Sequence, residues 1–238
     1  MSARYERIES HDGESFDAYR AAPTATPAPG VLLFQEVFGV NDNMRDLADQ
    51  LAEHGYVALV PDVFWRLRPR FESKDESGLA EGMGLSQRLD HALAAKDITS
   101  TFAHLLAMPE CDGKVGGVGF CLGGTLAYLF ARESRVDGRG PDAVVSYYGS
   151  AITDVASGSA KIDCPLLFHY GAKDPYIPQT QVDEVEAAFA GRPDVSVLRY
   201  DAGHAFSNWD APSFYDQPSA DLAWGRTLAF FAQHLTCA

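Results

Sequence analysis

Short apolar runs separated by stretches of helical period recur along nearly the whole chain, and this alternation restricts the fold more than any other feature. Val31-Leu32-Leu33-Phe34 is continuously apolar, the pattern of a strand buried on both faces. Met44, Leu47, Ala48 and Leu51 then follow the i, i+3, i+4, i+7 rule, with Gly55 placed as a stop. The run Tyr56 to Val60 comes next and is closed by Pro61, which cannot donate to a sheet ladder. The unit returns with a long helical pattern from Leu89 to Leu106, a strand at Val115 to Phe120 and a helix from Leu122 to Glu133. Further strands are read at 143–148, 165–170 and 195–200, and further helices near 179–190 and 220–235. Such alternation predicts the α/β class, a mostly parallel central sheet with helices on both faces. Ahead of it, Arg4 to Arg20 alternates weakly around His11-Asp12-Gly13 and predicts an N-terminal hairpin. No repeat or linker tract interrupts the pattern, so one domain over residues 1–238, without a large cap, is expected.

Two segments break the alternation. Residues 62–86 carry Arg and Glu with Gly78, Gly82 and Gly84, and residues 205–219 hold Phe206, Trp209, Phe214 and Tyr215 among Pro and Asp. Long connections in a compact α/β fold are commonly functional, so both are expected at the rim of a site. Composition narrows what that site can meet. The 19 Lys and Arg against 33 Asp and Glu give a net charge of −14, a field that repels polyphosphate and anionic lipid. Nucleic-acid and membrane partners are not expected, while a small anionic substrate stays possible through local cations in a cleft. Four cysteines at 111, 121, 164 and 237 form no CxxC pair, and no two histidines have metal-ligand spacing, so neither a metal nor another cofactor is expected. The first residues lack the basic start and apolar run of a secretory signal, and no stretch reaches roughly 18 apolar residues, which predicts a soluble cytoplasmic protein.

The chemistry centres on Gly119-Phe120-Cys121-Leu122-Gly123-Gly124, between a strand pattern and a helix pattern. Cys121 falls on a sharp strand-to-helix turn flanked by small residues, the Gly-x-nucleophile-x-Gly elbow with Cys in place of Ser. The helix start beneath it offers a positive dipole end that favours a thiolate. An isolated free cysteine is usually a small buried hydrophobe, and Cys111, Cys164 and Cys237 are read that way. A dinucleotide loop through Gly117, Gly119 and Gly123 is a weaker rival, because this is not the first strand and no acid ends the following one. An elbow nucleophile needs a base and an orienting acid, in chain order nucleophile, acid, histidine. Asp174 follows the strand 166–170 and His204 follows the strand 195–200, both where loops leave the carboxyl ends of a parallel sheet. Singly they read as a turn former and a solvated loop histidine; together with Cys121 they read as a triad. His169, inside an apolar strand, reads as a satisfied core residue, and His11, His54, His91, His104 and His234 have no such arrangement around them.

From about Arg4 to Leu235 the chain resembles the dienelactone hydrolase (carboxymethylenebutenolidase) family of the α/β-hydrolase fold. The carriers are Gln35-Glu36-Val37-Phe38-Gly39-Val40-Asn41, Gly55-Tyr56-Val57-Ala58 with Pro61-Asp62, Gly113-Lys114-Val115-Gly116, the elbow, Tyr147-Tyr148-Gly149, Gly171-Ala172-Lys173-Asp174 and Gly203-His204. The resemblance implies a hydrolase of a small ester or lactone, working through Cys121, His204 and Asp174 and a thioester acyl-enzyme. It implies that Glu36 is a second acid near the thiol, able to take its proton, and that the backbone N–H groups of Val37 and Leu122 form an oxyanion hole. Phe38, Tyr148 and Trp209 are the expected substrate contacts. One departure bears on substrate: the family's dienelactone-cleaving member follows its histidine with a serine and an arginine that hold the substrate carboxylate, whereas this chain has His204-Ala205-Phe206-Ser207-Asn208. A second arginine of the family has no clear counterpart in Leu79 to Arg88, although Arg66, Arg68, Arg70 and Arg88 lie nearby. A carboxylesterase or thioesterase for uncharged esters, or a sensor using the same pocket, therefore stands beside the dienelactone reading. The oligomeric state is left open.

Overall fold

A computed structural model describes residues 1–150, 152 and 158–236 of the chain. β1 (Ser2–Glu9) and β2 (Ser15–Ala22) form the expected hairpin, turning at Asp12 and Gly13, and β2 pairs antiparallel with β4 (Val57–Pro61). β4 then runs parallel to β3 (Ala28–Phe34), followed by β5 (Cys111–Phe120), β6 (Ala143–Tyr147), β7 (Leu166–Gly171) and β8 (Val195–Tyr200). The order β1-β2-β4-β3-β5-β6-β7-β8 makes one eight-stranded sheet. Its centre is dry: Val31, Leu32, Leu33 and Phe34 of β3 are fully buried, as a strand covered on both faces requires.

Neighbouring residues of β5 show which helix covers which face, because successive side chains point to opposite sides. The space above Gly117 is taken by Phe130 of α4 (Leu122–Glu133), and above Gly30, in register with Val115, by Leu105 of α3 (His91–Ala107). On the other side, Phe231 and Leu235 of the last helix, Gln217–Leu235, pack over Gly116. The first helix, α1 (Asp42–Glu53), is set by Asn41, whose side chain accepts the Met44 N–H, and buries Met44, Leu47, Ala48 and Leu51.

The periodic stretch read from Leu89 to Leu106 is one helix, α3, whose start moves to His91 because Asp90 accepts the N–H groups of Ala92 and Leu93. One expectation needs correction. Before α3, within the segment read as irregular, lies α2 (Leu79–Arg88). Gly82 and Gly84 weaken its helical signal, yet Gly82 is needed there, since a Cβ would overlap the carbonyl oxygen of Val37. Several ends also move outward: β3 starts at Ala28 and β5 at Cys111, each extended by sheet pairing rather than by apolar pattern. Helix α5 (Gln179–Ala188) lies between β7 and β8, and the last helix is α6. Cys237 lies outside the described residues. His169 is fully buried and hydrogen-bonded to Tyr200 and Thr227, the satisfied core histidine expected.

Candidate active site

β5 ends at Phe120 and α4 begins at Leu122, so the chain passes from strand to helix through Cys121 alone. The turn forces Cys121 to φ 54° and ψ −114°, a strained conformation for a residue with a Cβ. Its N–H donates to Tyr147 O at 3.1 Å and its carbonyl accepts from Gly124 N at 2.9 Å, tying the elbow to β6 and to the first helical turn. Crowding explains the flanking glycines: a Cβ on Gly119 would overlap the Gly123 carbonyl, and one on Gly123 the Phe34 carbonyl.

The loops after β7 and β8 bring the other two residues to this point. His204 Nε2 lies 3.2 Å from Cys121 Sγ, and His204 Nδ1 lies 2.7 Å from Asp174 Oδ2. Asp174 and His204 are buried, and Cys121 is partly open. The second Asp174 oxygen accepts the N–H groups of Tyr176 and Ile177 at 2.8 and 3.2 Å, which fixes the carboxylate plane. Burial works against a charged imidazole, but the bonds to Asp174 and Cys121 outweigh it and raise His204 to about 10.

Glu36, on the turn after β3, is only 2% exposed, so it is not a solvated loop carboxylate. Tyr148 donates to its Oε1 at 3.1 Å and Asn208 to its Oε2 at 2.5 Å. Burial is the largest influence on this carboxyl and raises it; the two hydrogen bonds and nearby His204 offset part of the rise. Burial also holds the Tyr148 hydroxyl well above its ordinary range, helped by the neighbouring Glu36, so it stays a donor.

These groups open on a cavity of about 310 Å³ lined by Glu36, Val37, Phe38, Cys121, Leu122, His204 and Ala205, together with Leu79, Met83 and Ser86 of α2, His91, Tyr176 and Phe214. Val37 and Leu122 thus reach the same space as the sulfur, and the Leu122 N–H, first of α4, has no acceptor within the helix. Both sequence-flagged segments contribute to the rim. Two expectations are corrected. Trp209 lies outside this cavity and instead lines a second one of about 190 Å³ with Leu47, Phe120 and Trp224; Phe214 and Tyr176 hold the rim. Tyr148 is fully buried behind Glu36 and supports it rather than lining the cavity. Asn208, at the place where the family resemblance led to an arginine being expected, gives its amide to Glu36.

Tyr176 was missed, although it stands two residues after Asp174 and its ring meets that of His204 edge-on at 5.3 Å. His91, read as lacking a site, reaches the cavity at the start of α3. The loop arginines do not enter it: Arg66 is held by Asp97 and Asp12, Arg68 by Glu81, Arg70 by Asp17 and the Tyr5 ring, and Arg88 by the Gly84 carbonyl. Among the described residues no cluster of His, Cys, Asp and Glu is arranged to hold a metal ion, and no helix is long and apolar enough to cross a membrane.

An eight-stranded, mostly parallel sheet with a cysteine elbow, a loop acid and a loop histidine at the strand ends is an α/β-hydrolase fold. The dienelactone hydrolase family profile matches residues 16–235, and the chain belongs to that family. It is 34% identical over 228 residues to the carboxymethylenebutenolidase of Pseudomonas putida, covering 94% of each chain. It is 31% identical to carboxymethylenebutenolidase 1 of Cupriavidus pinatubonensis, again over 94% of each. Among solved structures, a dienelactone hydrolase-like promiscuous phosphotriesterase from metagenomic libraries superposes with a TM-score of 0.82 at 25% identity, over 99% of this chain and 100% of that one. The protein is accordingly a hydrolase of ester or lactone bonds.

Proposed function

We propose that the chain, acting as one domain over residues 1–238, hydrolyses a small ester or lactone through a thioester on Cys121, with His204 and Asp174 completing a triad. The observation that carries this reading is the unbroken hydrogen-bonded line Cys121 Sγ, His204 Nε2, His204 Nδ1, Asp174 Oδ2, at 3.2 and 2.7 Å, on a strained elbow at the cavity floor. Glu36 takes the thiol proton; burial makes its carboxylate a stronger base than an ordinary one. The freed sulfur lone pair attacks the substrate carbonyl carbon, and the oxyanion is met by the N–H groups of Leu122 and Val37. As the tetrahedral intermediate collapses, the C–O bond to the alcohol breaks. His204, which carries a proton at neutral pH because its value lies near 10, gives that proton to the leaving oxygen.

The now neutral His204 takes a proton from water, hydroxide adds to the thioester, and the C–S bond breaks to release the acid. Glu36 returns its proton to the sulfur. Asp174 stabilises the imidazolium at both ends of this cycle and fixes which ring nitrogen faces the sulfur. The test is intact-protein mass spectrometry during turnover of a slow p-nitrophenyl ester. One acyl group should add to the parent chain and map to Cys121. Turnover without any adduct on Cys121, under quenching that preserves thioesters, would refute the covalent route.

A further inference from the structure

The buried acid of this site is held by neutral groups. Both oxygens of Glu36 are occupied, by the Tyr148 hydroxyl and the Asn208 amide, and the cation facing it is His204, itself engaged by Asp174 and Cys121. Among the described lining residues there is no Lys or Arg, and the four arginines of the neighbouring segment are bound elsewhere. The opposite wall is apolar. α2 presents Leu79, Met83 and Ser86 at i, i+4 and i+7, one face of a helix, with Met83 42% exposed, and Phe38 and Phe214 extend that surface.

We propose that the cavity selects uncharged esters or lactones bearing an apolar arm that lies against Leu79, Met83 and Phe214, and discriminates against substrates carrying a carboxylate. This rests on the hydrolase reading above and adds the substrate class to it. A carboxylate entering the cavity would shed water, meet Glu36 as a like charge and find no free cation among the described groups at the floor. An apolar arm would instead cover Met83, one of the few large hydrophobic side chains left open. The remaining base is His91 at the start of α3, which the test includes.

The substrates are mono-p-nitrophenyl adipate and its methyl ester, which share one scissile bond and differ by one charge. The methyl ester should have the larger kcat/KM by roughly tenfold or more, and Met83→Lys, at an exposed position, should move the ratio about fivefold toward the acid. Binding of two unreactive ligands, 6-phenylhexanamide and 6-phenylhexanoate, followed by ligand-observed NMR, reads the same selectivity without chemistry, and the amide should bind more tightly. Comparable kcat/KM for the two esters, or a preference for the acid, overturns the proposal; if that preference vanishes in His91→Ala, the anion site is His91. A ratio unmoved by Met83→Lys overturns the assignment of the arm to α2. Tighter binding of the amide by a protein that cleaves neither ester supports the selectivity while refuting the hydrolytic reading, so the two failures are distinct.

Discussion

The floor and the rim of the cavity are built on different principles. At the floor, Cys121, His204, Asp174 and Glu36 sit where β5, β8, β7 and β3 end, and every polar group has a partner 2.5 to 3.2 Å away. At the rim, Leu79, Met83, Tyr176 and Phe214 come from a short helix and two loops, and Tyr176 is 61% exposed. Buried polar groups must be paired or they cost stability, so the floor tolerates only one arrangement. Apolar side chains at a solvent boundary make no such demand. On the proposed mechanism, reaction type resides in the floor and substrate preference in the rim, and substitutions should separate the two.

The largest effect belongs to the floor. Cys121→Ala removes the sulfur but leaves the glycines that permit the elbow, so kcat should fall by roughly 10³-fold or more with circular dichroism unchanged. Comparable turnover by the alanine variant would assign the nucleophile elsewhere. Asp174→Asn comes next. The amide can still meet His204, but it does not stabilise the imidazolium, and kcat should drop by roughly 10²- to 10⁴-fold. Because the Tyr176 and Ile177 N–H groups can still find an oxygen at position 174, melting at neutral pH should fall only by what the imidazolium contributes and not further. A variant that melts far lower yet keeps its activity per folded molecule would make Asp174 a structural turn residue instead.

The floor also holds groups displaced from their ordinary pKa. His204 is raised in the folded protein to about 10 from an ordinary 6.5, burial opposing and Asp174 and Cys121 supporting the proton. A raised base contributes stability in full below its unfolded value and loses it as pH climbs through the folded one. The parent should thus lose Tm between pH 7 and pH 10 beyond what His204→Gln loses, by on the order of 10 °C, from roughly 3–4 kcal/mol at roughly 2–4 °C per kcal/mol for a chain of this size. Glu36, also raised, acts with the same sign, its contribution present below 4.5 and lost as pH rises through its raised folded value. Phe214→Ala should shift Tm equally at both pH values. Equal pH dependence in parent and His204→Gln would show that the imidazolium does not support the fold.

The same division explains what could be read from the sequence. Strand and helix order was legible because burial on both faces of the sheet leaves continuous apolar runs, and the meeting of Cys121, Asp174 and His204 was legible because each follows a strand. The helix α2 was not, since Gly82 and Gly84 weaken its helical signal, and Gly82 serves close packing against Val37 rather than helix formation. Asn208 drew notice as a missing arginine, but its bond to Glu36, 172 residues earlier in the chain, is a tertiary fact that no local pattern carries. Of two aromatics in one loop, the sequence reading takes Trp209 and not Phe214 as the substrate contact; which of them lines the cavity depends on how the loop folds after Ala205, itself at φ 52°.

That last distinction gives the smallest effects and the finest test of the rim. Phe214 lines the cavity, and Trp209 lines the neighbouring one together with Leu47, Phe120 and Trp224. Phe214→Ala removes apolar surface that a bound substrate arm would cover. The loss is felt by ground state and transition state alike, so KM should rise by roughly three- to tenfold while kcat stays close to the parent value. Trp209→Phe keeps an aromatic ring in a space the substrate does not enter, and kcat/KM should stay within about twofold. Steady-state kinetics on a neutral p-nitrophenyl ester measures both. A KM change confined to the Trp209 variant would reverse the two residues and move the substrate arm to the far side of Phe120. A fall in kcat for Phe214→Ala would mean that this ring also orients the floor, and the separation of reaction type from preference would end there.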